Sequence, residues 1–457
     1  MGDKVYGEID SMTKNLTEGS PARLIFFFTL PLLAGNIFQQ MYAFVDTLIV
    51  GRFLGVEALA AVGCTGSLMF LMLGFIIGFT SGLSICTGQR FGARDRAGVR
   101  KSAATCGILS LAMSILLTIL GVALCRTFLL WMQTPAEILQ GAYDFISIVY
   151  GGITMFVVLQ MQTNILRALG DSRTPTIILA VTLFINILLE PVAILVLDWG
   201  ISGAALATVA AQLIGNVFCL LYIMKKVPAL HTRLEDWRPD RKSMLDHLRI
   251  GLPMGFQMSI IAIGAVILQV ALNNLGPVAV AAYAASQKVD SIAMMPMMSF
   301  GLAMAAYTAQ NYGARKFSRI AEGVRKCILM SVGFSIVAGA AIILLGPYIM
   351  MLFVGEGQEQ VIAYGQTYLT VNGACYWILA LLFIFRNTLQ GLGQSVVPTI
   401  AGIMELIMRT AAAIFLVKWL DYLGACLANP LAWLGACVPM AIAFFMIRNQ
   451  MRRKYAL

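Results

Sequence analysis

Charge is what this chain has least of. Only 12% of its 457 residues are Asp, Glu, Lys or Arg, and histidine occurs twice. A soluble fold could not cover the apolar surface of a chain that is 59% hydrophobic, so a string of water-soluble domains is excluded and a polytopic membrane protein is implied. The nine cysteines contain no Cys-x-x-Cys pair, which argues against a zinc or redox motif and leaves them as small buried apolar side chains. His231 and His247 both fall in the expected cytoplasmic loop after the sixth span and build no metal cluster. A Walker Gly-Lys-Ser/Thr, a G-x-G-x-x-G after a strand, aspartate-rich metal motifs and a buried nucleophile with its base are all missing, so an enzyme is not expected. The first 22 residues mix both signs of charge and lack a short apolar core with a small-residue cleavage site, so no cleaved signal peptide is expected.

What is present is a series of apolar runs of roughly 20 residues, the length that crosses a hydrocarbon core as a helix. About twelve can be counted, near 24–51, 58–85, 102–125, 138–165, 174–197, 201–224, 249–273, 278–306, 326–354, 360–386, 396–419 and 424–447. Barrel strands would be shorter and would alternate polar with apolar, so the fold class is all-α.

The net charge of +10 could suggest a nucleic-acid partner, but its distribution says otherwise. With the amino terminus inside, 27 of the 32 basic residues fall on the inner side, three (Arg52, Arg126, Lys418) on the outer, and two (Lys288, Arg409) within spans. That asymmetry is the positive-inside signature of a multi-pass protein with both termini in the cytoplasm. The basicity is topological, and no nucleic acid is expected.

The chain repeats itself. TGQRFGAR (87–94) recurs as TAQNYGAR (308–315) and LGVEALAAVG (54–63) as LGPVAVAAYA (275–284), both at an offset of 221. ILRALGDSRTPTI (165–177) recurs as TLQGLGQSVVPTI (388–400) at 223, and Pro31 and Pro253 are offset by 222. Four collinear matches indicate a duplication, and six spans per copy require both copies to face the same way, a parallel repeat about an axis along the membrane normal. The expected organisation is a cytoplasmic tail (1–22), a six-helix lobe (23–224), a charged cytoplasmic linker (225–248), a second six-helix lobe (249–447) and a cytoplasmic tail (448–457). The glycine and arginine of the repeated GAR suit a tight turn at a cytoplasmic helix end.

The acids deep inside spans are Asp46, Glu190, Asp290 and Glu405. Ionisable groups at that depth are costly and usually mark a working site. Glu405 has Arg409 one turn away, which reads as an internal ion pair. Asp290 and Lys288, two residues apart, point to different sides of one helix and need other partners. Asp46 has Tyr42 at i−4 and Gln39 at i−7, a polar stripe, and Glu190 has Asn186 at i−4. Two carboxyls close together in an apolar setting can take up and release a proton near neutral pH, and such an oxygen-rich site can equally hold sodium. Met294, Met295, Met297 and Met298 around Pro296 offer a pliable binding wall, although methionines in a span also simply pack.

These residues carry a resemblance. Two sets of six parallel spans, Pro31 with FVDT (44–47), LRALGDSRTPT (166–176) and NILLEP (186–191) together resemble the multidrug and toxic compound extrusion (MATE) family of the MOP superfamily, over essentially the whole chain. The resemblance implies a cation site built from Asp46 on the first helix, Asn186 and Glu190 on the fifth and Thr208 on the sixth. Tyr42 fits the same pocket, Pro31 matches the proline at which the first helix bends, and a further asparagine maps to Asn164, or to Thr163 at a shift of one. The branch with this set usually has Asp where this chain has Glu190. A second branch uses a glutamate on the seventh helix, and no acid lies between Pro253 and Gln269.

The implied activity is secondary active efflux, with H+ or Na+ entering as amphipathic, often cationic organic compounds leave, while two lobes rock to expose a cavity alternately. Gln39, Asp290, Lys288, Met294 and Met298 are the expected substrate-facing residues. The protein is expected to be a monomer in the plasma membrane, in contact with the bilayer, with no cofactor and no metal other than Na+ at Asp46, Asn186, Glu190 and Thr208. The alternatives are a lipid-linked precursor flippase of related architecture, which would need more than Lys288 and Arg409 as cations in its spans, a membrane-embedded enzyme, and a channel.

Overall fold

The computed structural model describes residues 15–354 and 357–455. The rest of the expected amino-terminal tail (1–14) and residues 456–457 of the carboxyl tail lie outside the described residues, as do 355 and 356. Among the described residues there is no strand.

Among the described residues nine helices are long and apolar enough to cross a membrane, and a pair bent by 47° around Gly152 makes a tenth span. Two of the nine are each a pair of helices joined through one non-helical residue, Gly55 (φ 87°) or Asp421 (φ 49°), so the spans number twelve. In chain order they are α1 (21–54), α2 (56–92), α3 (Arg96–Trp131), α4 (Ala136–Gly151 with Ile153–Ala168), α5 (Arg173–Pro191 with a π-helical turn, Val192–Val196) and α6 (Gly200–Lys226). The second set is α7 (Arg241–Asn273), α8 (Pro277–Gly313), α9 (Phe317–Val354), α10 (Glu359–Gly391), α11 (Val396–Ala411 with a π-helical turn, Ala412–Leu416, continuing to 420) and α12 (422–455). The protein is therefore an all-α polytopic membrane protein.

The duplication is written in the backbone. Residues with left-handed φ recur at the repeat offsets: Gly55 and Gly276 (87° and 94°), Arg94 and Arg315 (59° and 58°), Gly170 and Gly393 (88° and 80°), Asp198 and Asp421 (53° and 49°). Left-handed backbone is unfavourable for side chains with a Cβ, so its recurrence at Arg and Asp shows that turn geometry was copied along with sequence. The turn in the GAR motif is taken by its arginine, not by its glycine, because Gly92 and Gly313 still lie inside the helix. The π-helical turn after Glu190 also recurs, and there Ile414 stands at the place of Pro191, so the proline alone does not cause it.

Packing divides the chain into two compact units, one built on Pro31–Gly255 and the other on Leu16–Leu30 with Phe256–Leu457. Each divides a helix near the aligned prolines, α1 at Pro31 and α7 just after Pro253. Residues 16–19 belong to the second unit because hydrogen bonds hold them there. The Leu16 amide donates to Gln310 Oε1 (3.0 Å), Asn311 Nδ2 donates to Leu16 O (3.1 Å), Lys316 Nζ to Thr17 O (2.9 Å) and Arg319 Nη2 to Gly19 O (2.9 Å).

The start of α7 belongs to the first unit. It begins at Arg241, upstream of the apolar run, so His247 is not in a loop but fully buried on a helix. Its ring bridges Ser102 Oγ and Ser243 O, each at 2.7 Å. Lys101–Asp240 (3.0 Å) and Arg100–Asp236 (3.4 Å) tie the linker to α3. Glycines let α7 approach α2 closely: a Cβ on Gly82 would sit 2.7 Å from Gly251 Cα and 3.0 Å from Ile250 O. Gly82→Ala is therefore expected to lower the thermal unfolding midpoint by the equivalent of about 1–3 kcal/mol through overpacking. Gly66→Ala, where a Cβ meets nothing within 4 Å, should leave the midpoint unchanged in the same assay.

Candidate functional site

The site is built in the first unit, where α1, α5 and α6 come together. An apolar cluster that includes Ile49 and Val50 from α1, Phe145 and Val149 from α4, Ile194 from the π-helical turn, and Ala204 and Ala205 from α6 seats these helices. Small residues on α6 let α5 pack closely: a Cβ on Gly203 would lie 3.1 Å from Ala193 O, and one on Gly215 2.5 Å from Thr182 Oγ1.

Asn186 and Glu190 are fully buried. Asn186 Nδ2 donates to Thr208 Oγ1 at 3.4 Å. The Asp46 and Glu190 carboxyls are neighbours, and Tyr42 lies beside Thr208 and within electrostatic range of both acids. The structure thus brings together Tyr42, Asp46, Asn186, Glu190 and Thr208. Neither acid makes an ion pair, and neither Glu190 oxygen nor Asn186 Oδ1 has a hydrogen bond of ordinary geometry among the described residues. Buried polar groups are nearly always satisfied, so these oxygens and the Tyr42 hydroxyl, likewise without an ordinary hydrogen bond, around two facing carboxyls form a donor set suited to a proton or a small hard cation. Among the described residues no group of three or more His, Cys, Asp or Glu could hold a metal ion.

Asn164 is turned elsewhere. Its Nδ2 donates to Thr80 Oγ1 (3.0 Å), and its Oδ1 accepts from Arg167 Nη1 (3.1 Å). Thr163, the alternative register, donates to Gln160 O and is fully buried. At the expected hinge, Thr176 Oγ1 donates to Pro31 O at 2.6 Å, joining α5 to α1.

In the second unit Asp290 is buried and accepts hydrogen bonds from the hydroxyls of Tyr368 (3.1 Å) and Tyr376. Lys288, on the other side of α8, is exposed, as is Gln39 on α1. Met294 and Met298 are half-buried, while Met295 and Met297 are packed inside the unit.

Glu405 pairs with Arg409 as the spacing predicts (3.1 Å), but its other oxygen is taken by Arg386 (2.8 Å). Arg386, placed by the charge count among the inner-side residues, is 8% exposed and belongs to this triad. The pairing escapes the sequence because α10 and α11 meet through the turn at Gly391–Ser395, and helical spacing reports only neighbours on one helix.

Twelve membrane helices in two copies around a buried polar site are the architecture of a membrane transporter. The MatE family profile matches residues 31–192 and 253–415, and the chain belongs to that family: it is a multidrug and toxic compound extrusion transporter, not an enzyme. It is 28% identical to "Probable multidrug resistance protein YoeA" of Bacillus subtilis, over 92% of this chain and 93% of that protein. It is 20% identical to "Multidrug export protein MepA" of Staphylococcus aureus, over 85% of this chain and 86% of that one. The fold matches a MATE crystal structure in the bent conformation with a TM-score of 0.90, at 23% identity and covering 98% of this chain and 100% of the other. An outward-facing multidrug resistance MATE transporter of the MOP superfamily matches at 0.89, also at 23% identity, covering 97% of this chain and 100% of the other.

Proposed function

We propose that this transporter is a secondary antiporter of the plasma membrane with both termini cytoplasmic, coupling inward movement of H+ or Na+ to export of amphipathic, often cationic organic compounds. The observation that carries the reading is the pair of neighbouring, unpaired acids, Asp46 and Glu190, with orphaned oxygens on Glu190 and Asn186. A buried carboxyl pair without a countercharge is costly. A proton or cation relieves that cost, so ion and unloaded site favour different states of the unit, which is what coupling requires.

Thr208 and Tyr42 complete the ion site in this reading, while Asn164 acts through Thr80 and Arg167, with its amide already engaged. Pro31 serves as the hinge. The unit boundary within α1 falls at this residue, and a proline inside a helix removes one backbone hydrogen bond. In the second unit Lys288 is exposed to meet substrate, Met294 and Met298 give it a deformable surface, and Asp290 contributes from within its tyrosine cage, while in the first unit Gln39 is exposed on α1.

The test is efflux of a cationic dye from vesicles of the reconstituted protein under separately imposed proton and sodium gradients. Efflux driven by one of the two is expected, and efflux indifferent to both sinks antiport.

A further inference from the structure

The two copies of the repeat differ most where the first keeps its acids. At the offset of 223, Arg409 stands at the place of Asn186. Counted along unbroken helices from the aligned prolines, at 222, Gly264 stands at the place of Tyr42. The space vacated by the missing phenol is filled by the Arg409 guanidinium. A Cβ on Gly264 would lie 3.0 Å from Arg409 Nη1, which itself reaches to 3.5 Å from Ile261 O on the same helix. Nη2 meanwhile holds Glu405 Oε1 at 3.1 Å, and Arg386 holds the other carboxylate oxygen at 2.8 Å.

Charge separates the copies in the same way. In the first, Asp46 and Glu190 face each other with no basic partner. In the second, Glu405 is held by both Arg386 and Arg409, while Asp290 accepts from the Tyr368 and Tyr376 hydroxyls. Arg409 and Asp290 both lie within electrostatic range of the Tyr283 hydroxyl. One unit therefore needs a cation from outside, and the other carries its own.

We propose that Arg409 is a tethered cation, whose guanidinium permanently occupies in the second copy the place that the first copy keeps for an exchangeable ion, so that the protein has one coupling-ion site and not two. The inference rests on reading Asp46 and Glu190 as that ion site. A triad that only packed helices together would need the shape and the pairing at Arg409, but not a position equivalent to the ion site or a glycine opposite it.

The experiment follows dye efflux and the thermal unfolding midpoint of the purified, reconstituted full chain while proton and sodium concentrations are titrated separately. The parent protein is expected to show a single saturable ion response that is lost in Glu190→Gln, with Arg409 intact. An ion response persisting when Asp46→Asn and Glu190→Gln are combined would reveal a second exchangeable site and overturn the proposal. Arg409→Ala is expected to lose efflux and to recover it with millimolar guanidinium. Arg409→Lys should retain efflux, since the single Nη2 contact to Glu405 is one a point charge can make, and Arg409→Met, which keeps bulk without charge, should not. Equal behaviour of the Lys and Met variants in efflux and midpoint overturns the tethered cation in favour of shape. A parent protein with no ion response at all would remove the antiport reading instead, while the series at Arg409 would still decide whether charge is required there.

Discussion

Glu190→Gln is expected to abolish ion-driven efflux, and Asp46→Asn to do the same, with both proteins still folding and inserting. The substitutions are nearly isosteric and exchange a carboxyl for an amide in a place where Glu190 oxygens have no other partners, so little packing is lost. What would be lost is the negative charge proposed to face the ion. Unit charges about 4 Å apart at the effective dielectric of a protein interact by roughly 4 kcal/mol, which is about three powers of ten in affinity for a sodium ion. If the ion is a proton the effect is larger, because an amide does not titrate in this range at all. Binding of dye to the purified protein should survive, which separates loss of coupling from loss of substrate recognition. Ion-driven efflux unchanged in both variants would remove the site. Complete loss in one variant with only a partial effect in the other would assign the ion to the acid whose replacement is complete in its effect.

The acids were legible in the sequence for a physical reason. A carboxyl inside an apolar run is conspicuous along one dimension, and so is the run itself, which is why the twelve spans emerge close to where they lie. The clustering of Asp46, Asn186, Glu190 and Thr208 was implied only by resemblance, since nothing along the chain says that residues more than a hundred apart on α1 and α5 will face each other. Features that depend on tertiary contacts stayed hidden. Residues 16–30 join the second unit through Gln310, Asn311, Lys316 and Arg319, contacts made by polar side chains at helix ends with no periodic signature. The first turns of α7 were missed because Arg241 to Arg249 is too polar to extend an apolar run, although His247 and Ser243 are buried there. Arg386 looked like a cytoplasmic charge because it follows its run, and only its neighbour across the turn, Glu405, shows that it is held inside.

That triad supports the second large effect, on stability. Glu405→Gln leaves Arg386 and Arg409 buried at 8% and 5% exposure with no acid between them. Breaking a buried ion pair by removing one partner costs about 3–5 kcal/mol, because an uncompensated charge remains. Its thermal midpoint in detergent should fall far more than that of Asp240→Asn. Asp240 also accepts a charged partner at 3.0 Å, but the pair is 39–44% exposed, and exposed pairs contribute little to stability. A midpoint for Glu405→Gln no lower than for Asp240→Asn would mean that the triad is solvated and not part of the interior. Replacing all three members together by Met, Leu and Met removes the charges along with their partner, and such exchanges are often neutral or stabilising, so the triple variant should recover the midpoint that Glu405→Gln loses. It should not recover efflux, since the fixed charge at position 409 is gone. A triple variant that restored both would reduce the triad to packing. One that restored the fold alone would show that this lobe keeps its guanidiniums for transport and not for stability.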